Sequence, residues 1–276
     1  MAKIILELRG GLGNQLFQYS AGAYFAGKLG AELEIDDSSI YRHADRTRRS
    51  WLKEIDYIDT FHFSNVSWIN PSKRLYLRTI ERVRPKKIYY DESDLKTIEK
   101  LNKDIFVYDW FHEKKYVEQL LNSLTSDKPQ QRKLHLRNSA IARNVLIENK
   151  IAALHMRLGD FKKTSWGILP SEWYLARVKE LIALDVEEIH CYSDDLEESR
   201  SIIENWNLKL HFHYPEENKL YDPHELLHVL TRYQIVISSN STLCWWSSYF
   251  NQNQNPIILC SWNENLRLKH WRYYEQ

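Results

Sequence analysis

Short apolar runs alternate with amphipathic segments along much of this chain, and their periods predict its elements. Residues 3–8, Lys3-Ile4-Ile5-Leu6-Glu7-Leu8, read as a strand that runs into Arg9-Gly10-Gly11-Leu12-Gly13-Asn14-Gln15. A helical pattern follows, with Leu12, Leu16, Tyr19, Ala23 and Ala26 on one face. Ala31-Glu32-Leu33-Glu34-Ile35 predicts a second strand, ending at Asp36-Asp37. From residue 151 the alternation is clear. Strands are predicted over 151–156, 189–193, 208–212, 235–238 and 257–260. Helices are predicted over 171–184, with Ser171 as N-cap after Pro170, over 196–206 and over 242–250. A fourth opens at Asp222-Pro223-His224-Glu225 (cap, Pro at the first helical position, Glu in the first turn) and runs to about 232. Strands and helices alternating at this spacing imply a doubly wound parallel α/β sheet.

Residues 40–130 carry less signal. Trp51, Tyr57, Phe61, Phe63, Trp68, Tyr89, Tyr90, Tyr108, Trp110 and Phe111 are scattered among charges with weak periodicity. The basic stretch bounded by Lys73 and Lys87 interleaves Leu75, Leu77, Ile80 and Val83. It reads either as a solvated helix face or as an amphipathic helix able to touch anionic lipid headgroups. A break at Ser126-Asp127-Lys128-Pro129 and a polar stretch to about 149 mark a domain boundary. The expected organisation is an N-terminal domain over 1–148, a second domain over 149–262 and a tail over 263–276.

Composition narrows the classes. With 276 residues, 43% apolar and 13% aromatic, the chain can build a large core, and its 10 Trp and 17 Tyr also suit sugar-binding surfaces. A formal net charge of +1 argues against a general electrostatic binder of nucleic acid. Cys191, Cys244 and Cys260 stand apart in or beside apolar runs, without metal-ligand spacing, which suits a reducing compartment. The amino terminus starts a strand pattern rather than a signal peptide, and no apolar run approaches the length of a spanning helix. The expected location is cytoplasmic.

The candidate chemistry sits at strand ends. His155, Arg157 and Asp160 follow the 151–156 strand; Ser193-Asp194-Asp195 and Ser238-Ser239-Asn240-Ser241-Thr242 follow two others. The carboxyl ends of parallel strands share one edge, where ligands bind. Arg157 offers a planar fork that matches phosphate, and a helix opening at Thr242 offers amides to an anion. The glycine loop also brings backbone close to a ligand or simply makes a tight turn. It is not a P-loop, since no Gly-Lys-Ser/Thr follows. It fits a dinucleotide fingerprint in part: Gly11 and Gly13 are present, Asp36 or Asp37 stands where a ribose-binding acid would, but Leu16 occupies the third glycine position.

Taken together, Gly10-Gly11-Leu12-Gly13-Asn14-Gln15-Leu16-Phe17-Gln18-Tyr19, His155-Met156-Arg157-Leu158-Gly159-Asp160-Phe161, Tyr192-Ser193-Asp194-Asp195 and Ser238-Ser239-Asn240-Ser241-Thr242 with Trp245-Trp246 resemble glycosyltransferase family 11, the GDP-fucose-dependent α-1,2-fucosyltransferases of bacterial type. The resemblance implies a GT-B-like fold of two Rossmann-type domains facing a cleft, an inverting mechanism and no metal or other cofactor. It implies that Arg157 binds the donor β-phosphate, that His155 lies near the guanine or ribose, and that Asp194 or Asp195 reads the guanine edge. Ser193, Asn240, Ser241 and Thr242 are expected around the donor, with Gly11, Gly13 and Asn14 facing it from the N-terminal, acceptor-side domain. The family pattern carries a second Arg where this chain has Leu158. The implied reaction moves L-fucose to the 2-hydroxyl of a terminal galactose on a glycan, free or lipid-linked, in surface polysaccharide or O-antigen synthesis. Peripheral contact with the inner face of a membrane through the Lys73 to Lys87 stretch is the accompanying expectation.

Chemistry constrains the roles further. A departing GDP develops negative charge on its β-phosphate, which a metal-free site must meet with fixed cations and amides. Adjacent Asp194 and Asp195 read as base recognition or a helix cap rather than as a metal pair, since neighbouring strand residues point opposite ways. Asp160 is the leading candidate for the base that deprotonates the acceptor hydroxyl, ahead of Glu172 and Glu225; late proton loss to a phosphate oxygen or water is the alternative. Two other readings compete: a nicotinamide dehydrogenase built on the Gly11–Gly13 loop and Asp36 or Asp37, and a non-catalytic glycan-binding protein.

Overall fold

The computed structural model describes residues 3–37, 40, 49–54, 62–63, 105–107, 109–117, 150–159, 162, 167–215, 222–251, 256–262, 264–268 and 271–273. The chain divides into two compact units, Met1–His135 and Leu136–Gln276. The expected boundary at 148/149 and the Lys73 to Lys87 stretch lie outside the described residues.

In the first unit, β1 (Lys3–Glu7), β2 (Glu32–Asp36), β3 (His62–Phe63) and β4 (Ile105–Val107) form a parallel sheet in the order β3-β2-β1-β4. The crossover from β1 to β2 is α1 (Leu12–Leu29). It ends at Gly30, which takes the left-handed conformation (φ 58°) and returns its amide to the Ala26 carbonyl. The expected apolar face is present, but α1 is buried well beyond it. Gln15, Gln18 and Ser20 are enclosed too, and each makes a hydrogen bond there. Gln15 donates to the Gly10 and Arg49 carbonyls at 3.0 and 2.9 Å and accepts from the Trp51 amide at 2.9 Å. Gln18 accepts from the Arg9 amide at 2.8 Å, so two glutamines lock the loop that precedes their own helix. The glycine that lets helix meet sheet is Gly22, not a residue at position 16. A Cβ at Gly22 would lie 2.9 Å from Leu6 Cδ2 and 3.0 Å from Leu33 Cδ1.

The second unit holds a six-stranded parallel sheet built from β5 (Ile151–Met156), β6 (Glu188–Ser193), β7 (His211–His213), β8 (Ile235–Ile237), β9 (Ile257–Cys260) and β10 (Arg272–Tyr273). Their order is β10-β9-β8-β5-β6-β7. Counted from β5, this is the dinucleotide-fold order 3-2-1-4-5-6, which reverses direction between β5 and β8. The connecting helices are α2 (Ser171–Ile182), α3 (Leu196–Glu204), α4 (Pro223–Leu230) and α5 (Thr242–Tyr249). One face of the sheet, carrying Ala152, Leu154, Met156, Ile189 and Cys191, packs with Trp173, Tyr174, Val178 and Leu181 of α2. Helix α5 is buried through Trp245 and Trp246; Trp245 stacks on Tyr249 with centroids 5.0 Å apart, and its indole N–H donates to the Leu266 carbonyl at 3.0 Å.

Most predicted elements stand within a residue or two of their expected places. Three differ. Ser171 is the first helical residue of α2, and Pro170 is the cap; the Ser171 hydroxyl accepts from the Trp206 indole instead, at 2.9 Å. The strand expected over 208–212 is the shorter β7, paired with Glu188 to His190 of β6. Residues 263–276, expected as a tail, contribute the edge strand β10, which pairs with β9. Valine at position 22 should overpack the α1–sheet contact and cost about 1–3 kcal/mol; a thermal melt of Gly22→Val coinciding with that of the native protein would contradict this packing.

Candidate functional site

The switch point of the second sheet lies where β5 and β8 end, and the residues there are tied together. His155, the penultimate residue of β5, is buried, and its Nδ1 shares a 2.7 Å hydrogen bond with Ser239 Oγ, two residues beyond β8. The Ser239 hydroxyl also accepts from the Ser241 amide at 3.3 Å, which fixes the turn into α5. Burial, and then the neighbouring Arg157 charge, push the His155 imidazole down to about 4, so it is neutral at physiological pH.

Arg157 sits just past β5, with its Nε 3.3 Å from Asp194 Oδ2. The other carboxylate oxygen of Asp194 accepts from the Leu158 amide at 2.8 Å and the Gly159 amide at 3.0 Å. One carboxylate at the end of β6 therefore holds both the backbone turn and the guanidinium at the end of β5. Burial alone would raise the Asp194 carboxyl. Arg157 and the two amides outweigh that and hold it below its usual range, ionised. Gly159 makes the arrangement possible, because a Cβ there would lie 2.7 Å from Asp194 Oδ2. Leu158, where the family pattern has a second Arg, has its side chain buried in the core. The Tyr174 ring of α2 is fully buried in the same core.

Asp195 faces a different way from Asp194. Its side chain caps α3 by accepting from the Glu198 amide at 3.1 Å, and Lys162 approaches it at 3.4 Å. Ser193 Oγ donates to the Asp195 carbonyl and accepts from its amide, both at 3.1 Å, closing the same turn. Asn240 donates to the Gly167 carbonyl at 3.2 Å. Ser241 is the N-cap of α5 and makes no side-chain cap hydrogen bond, so the first turn opening at Thr242 presents backbone amides rather than a hydroxyl lid.

The fold thus collects His155, Arg157, Ser193, Asp194, Asp195, Asn240, Ser241 and Thr242 at the carboxyl ends of β5, β6 and β8. Gly11, Gly13 and Asn14 lie in the other unit, at the end of β1 and in the first turn of α1, and Gly11 is that helix's N-cap. Asp160 lies outside the described residues. Glu172 and Glu225 occupy the first turns of α2 and α4. Asp36 and Asp37 are buried at the end of β2. Ser239 and Gly159, which stand in the strand-end stretches read from sequence but were given no role of their own there, complete the cluster. The signal for Ser239 was its place at a strand end level with His155; for Gly159 it was a glycine two residues after Arg157, just past the end of β5. Among the described residues, no group of three or more His, Cys, Asp or Glu side chains is placed to hold a metal ion. Among those same residues, no helix is long and apolar enough to cross a membrane. The three cysteines are free and buried, and burial pushes the Cys244 thiol up to about 11.

The chain matches no protein-family model and no curated protein. It is similar in structure to the fucosyltransferase NodZ from Bradyrhizobium, at 12% identity and a TM-score of 0.50, over 90% of this chain and 92% of that one. It is also similar to POFUT1 in complex with GDP, at 13% identity and a TM-score of 0.50, over 90% and 94%. A variant of Arabidopsis thaliana FUT1 in complex with GDP gives 10% identity and a TM-score of 0.53, over 96% of this chain and 72% of that one. At such identities the likeness is one of fold: a GT-B-like α/β chain with parallel sheets.

The neutral state of His155 carries a pH signature. An unfolded chain takes up this proton near the ordinary value of about 6.5, whereas the folded protein holds it off until about 4. Below about 6.5 the unfolded state therefore binds more protons, and stability falls as pH drops through that window. The melting temperature of His155→Gln should fall less steeply than the native protein's between pH 7 and 4; parallel curves would contradict a buried neutral imidazole.

Proposed function

We propose that the chain is a GDP-fucose-dependent fucosyltransferase. One observation carries the reading: at the switch point of a dinucleotide-type sheet, Arg157 is held by Asp194 beside the opening of α5, whose N-cap supplies no capping side chain. A fixed guanidinium and a set of helix amides are what a diphosphate leaving group needs. The fold likeness to NodZ, a fucosyltransferase, and to two proteins solved with GDP supports that donor.

In this reading the donor pyrophosphate lies against Arg157 and the first turn of α5. As the bond from fucose to the β-phosphate breaks, charge grows on the phosphate. The guanidinium and amides, fixed before the reaction, stabilise it without reorganising. The neutral His155 contributes hydrogen bonding near the ribose or guanine without adding a second cation. The Asp194 carboxylate is committed to Arg157 and two backbone amides, and Asp195 to α3, which leaves this pair a structural duty rather than a metal's. A guanine contact through the edge of Asp194 remains part of the proposal only as a secondary role of the same carboxylate.

The finer reading is an inverting, metal-independent transfer to the 2-hydroxyl of a terminal galactose, an α-1,2 linkage, with Asp160 as the base. The linkage, acceptor and inversion rest on the motif resemblance, and the Asp160 assignment on the need for a group that takes the acceptor hydroxyl's proton. Within this finer reading the enzyme works in the cytoplasm on a surface-glycan precursor. GDP release from GDP-fucose, measured with EDTA present and a β-galactoside acceptor, tests both levels. Arg157→Ala should lose about 3 kcal/mol of transition-state stabilisation, a hundredfold or more in rate. Release that needs a divalent metal would remove the metal-independent step, and an Arg157→Ala enzyme with native turnover would remove the phosphate assignment.

A further inference from the structure

The first unit has its own switch point, between β1 and β4, and a half-buried cluster occupies it. Beyond β4, Asp109, Trp110, Phe111 and His112 follow in sequence, level with the Arg9–Asn14 loop beyond β1. Phe111 takes φ 53°, a left-handed conformation that is costly for a bulky residue and that persists where surrounding structure enforces it. Its ring is buried edge-on against Tyr116, at 5.6 Å and 90°, and lies 6.1 Å from Phe25. With Phe111 anchored inward, the flanking Trp110 and His112 rings stand only partly buried, 6.2 Å apart and tilted by 33°. Gly10 is also left-handed, at φ 71°. A Cβ there would lie 2.7 Å from Asn14 Nδ2 and 3.3 Å from the Trp110 ring, so bare backbone lets the two loops close on each other.

The polar groups are arranged around the indole. The Arg9 guanidinium lies 5.4 Å over the Trp110 ring, and His112 Nε2 donates to Asn14 Oδ1 at 3.1 Å. Burial pushes the His112 imidazole down to about 4 against the opposing charge of Asp109, so the ring is neutral. An aromatic surface bordered by an amide, a neutral imidazole and a guanidinium already engaged with the ring suits a neutral polyol better than a diphosphate.

We propose that Trp110, His112, Asn14 and Arg9 form the subsite for the acceptor sugar, with a pyranose packed on the indole and its hydroxyls met by the polar groups. Naming that sugar an acceptor rests on the fucosyl-transfer reading; the sugar site itself does not. Asn14, which the resemblance sets on the donor side, here orients His112.

The test measures lactose binding by saturation-transfer NMR on the full chain, beside calorimetric GDP titration, for the native protein, Trp110→Ala and His112→Ala. Lactose affinity should drop about tenfold or more in both variants, while GDP affinity is unchanged. Should Trp110→Ala melt far below the native protein, Trp110→Phe replaces it and should keep part of the affinity. Lactose bound equally well by all of these proteins would overturn the proposal, and so would a native protein that binds no β-galactoside. A native protein that binds lactose through Trp110 but binds no GDP would leave this subsite standing and remove the transferase reading.

Discussion

The second unit's site depends on one carboxylate. Asp194 spans from the end of β6 to the end of β5, takes two backbone amides on one oxygen and faces the Arg157 guanidinium with the other. Each partner would be costly alone in this partly buried place: the amides unpaired, the guanidinium without a counter-charge, the carboxylate desolvated. Together they fix the direction of the Arg157 fork before any ligand arrives, and preorganisation of that kind is what lets a cation act on charge that develops during reaction. Burial first, and then the Arg157 charge, keep His155 neutral against the opposing pull of the Asp194 carboxylate.

Three glycines mark where backbone or side chains must come closer than a Cβ allows. Gly159 admits Asp194, Gly22 admits the sheet to α1, and Gly10 lets the β1 and β4 loops meet at Asn14 and Trp110. Both sheets share the order in which the first strand is flanked by the second and the fourth, so each has a switch point, and each switch point is where these close approaches occur outside the core. One chain thus carries two edges built for ligands: a charged one suited to a diphosphate, and an aromatic one suited to a sugar.

Much of this was legible in the sequence, and the reasons for the rest are physical. The second unit could be read because its parallel strands are continuous apolar runs, such as Ile151 to Leu154, and because Asp222 and Pro223 announce a helix start. The tail hid β10, since a two-residue edge strand carries no period. The cap at Ser171 was misplaced because a Ser after Pro satisfies the local rule, while its hydroxyl is claimed by Trp206 across the fold. The missing third glycine was sought at position 16 by motif spacing; the contact that needs it occurs at Gly22, set by where α1 crosses Leu6 and Leu33. Polar strand ends pointed to His155, Arg157 and Asp194, but a sequence gives no distances. The sharing of labour within the Asp pair, with Asp194 on the turn and Asp195 on α3, emerged only from geometry.

Calorimetric titration of GDP, GMP and guanosine into the native protein and Arg157→Ala tests the central claim most directly, because it isolates recognition of the β-phosphate from turnover. The account predicts that the native protein prefers GDP to GMP by about tenfold or more, the worth of one charge-assisted contact, and that Arg157→Ala loses this preference while its residual affinity for guanosine is unchanged. A variant that still prefers GDP as strongly as the native protein would show that the diphosphate is held elsewhere and that the Arg157–Asp194 pair serves the fold alone.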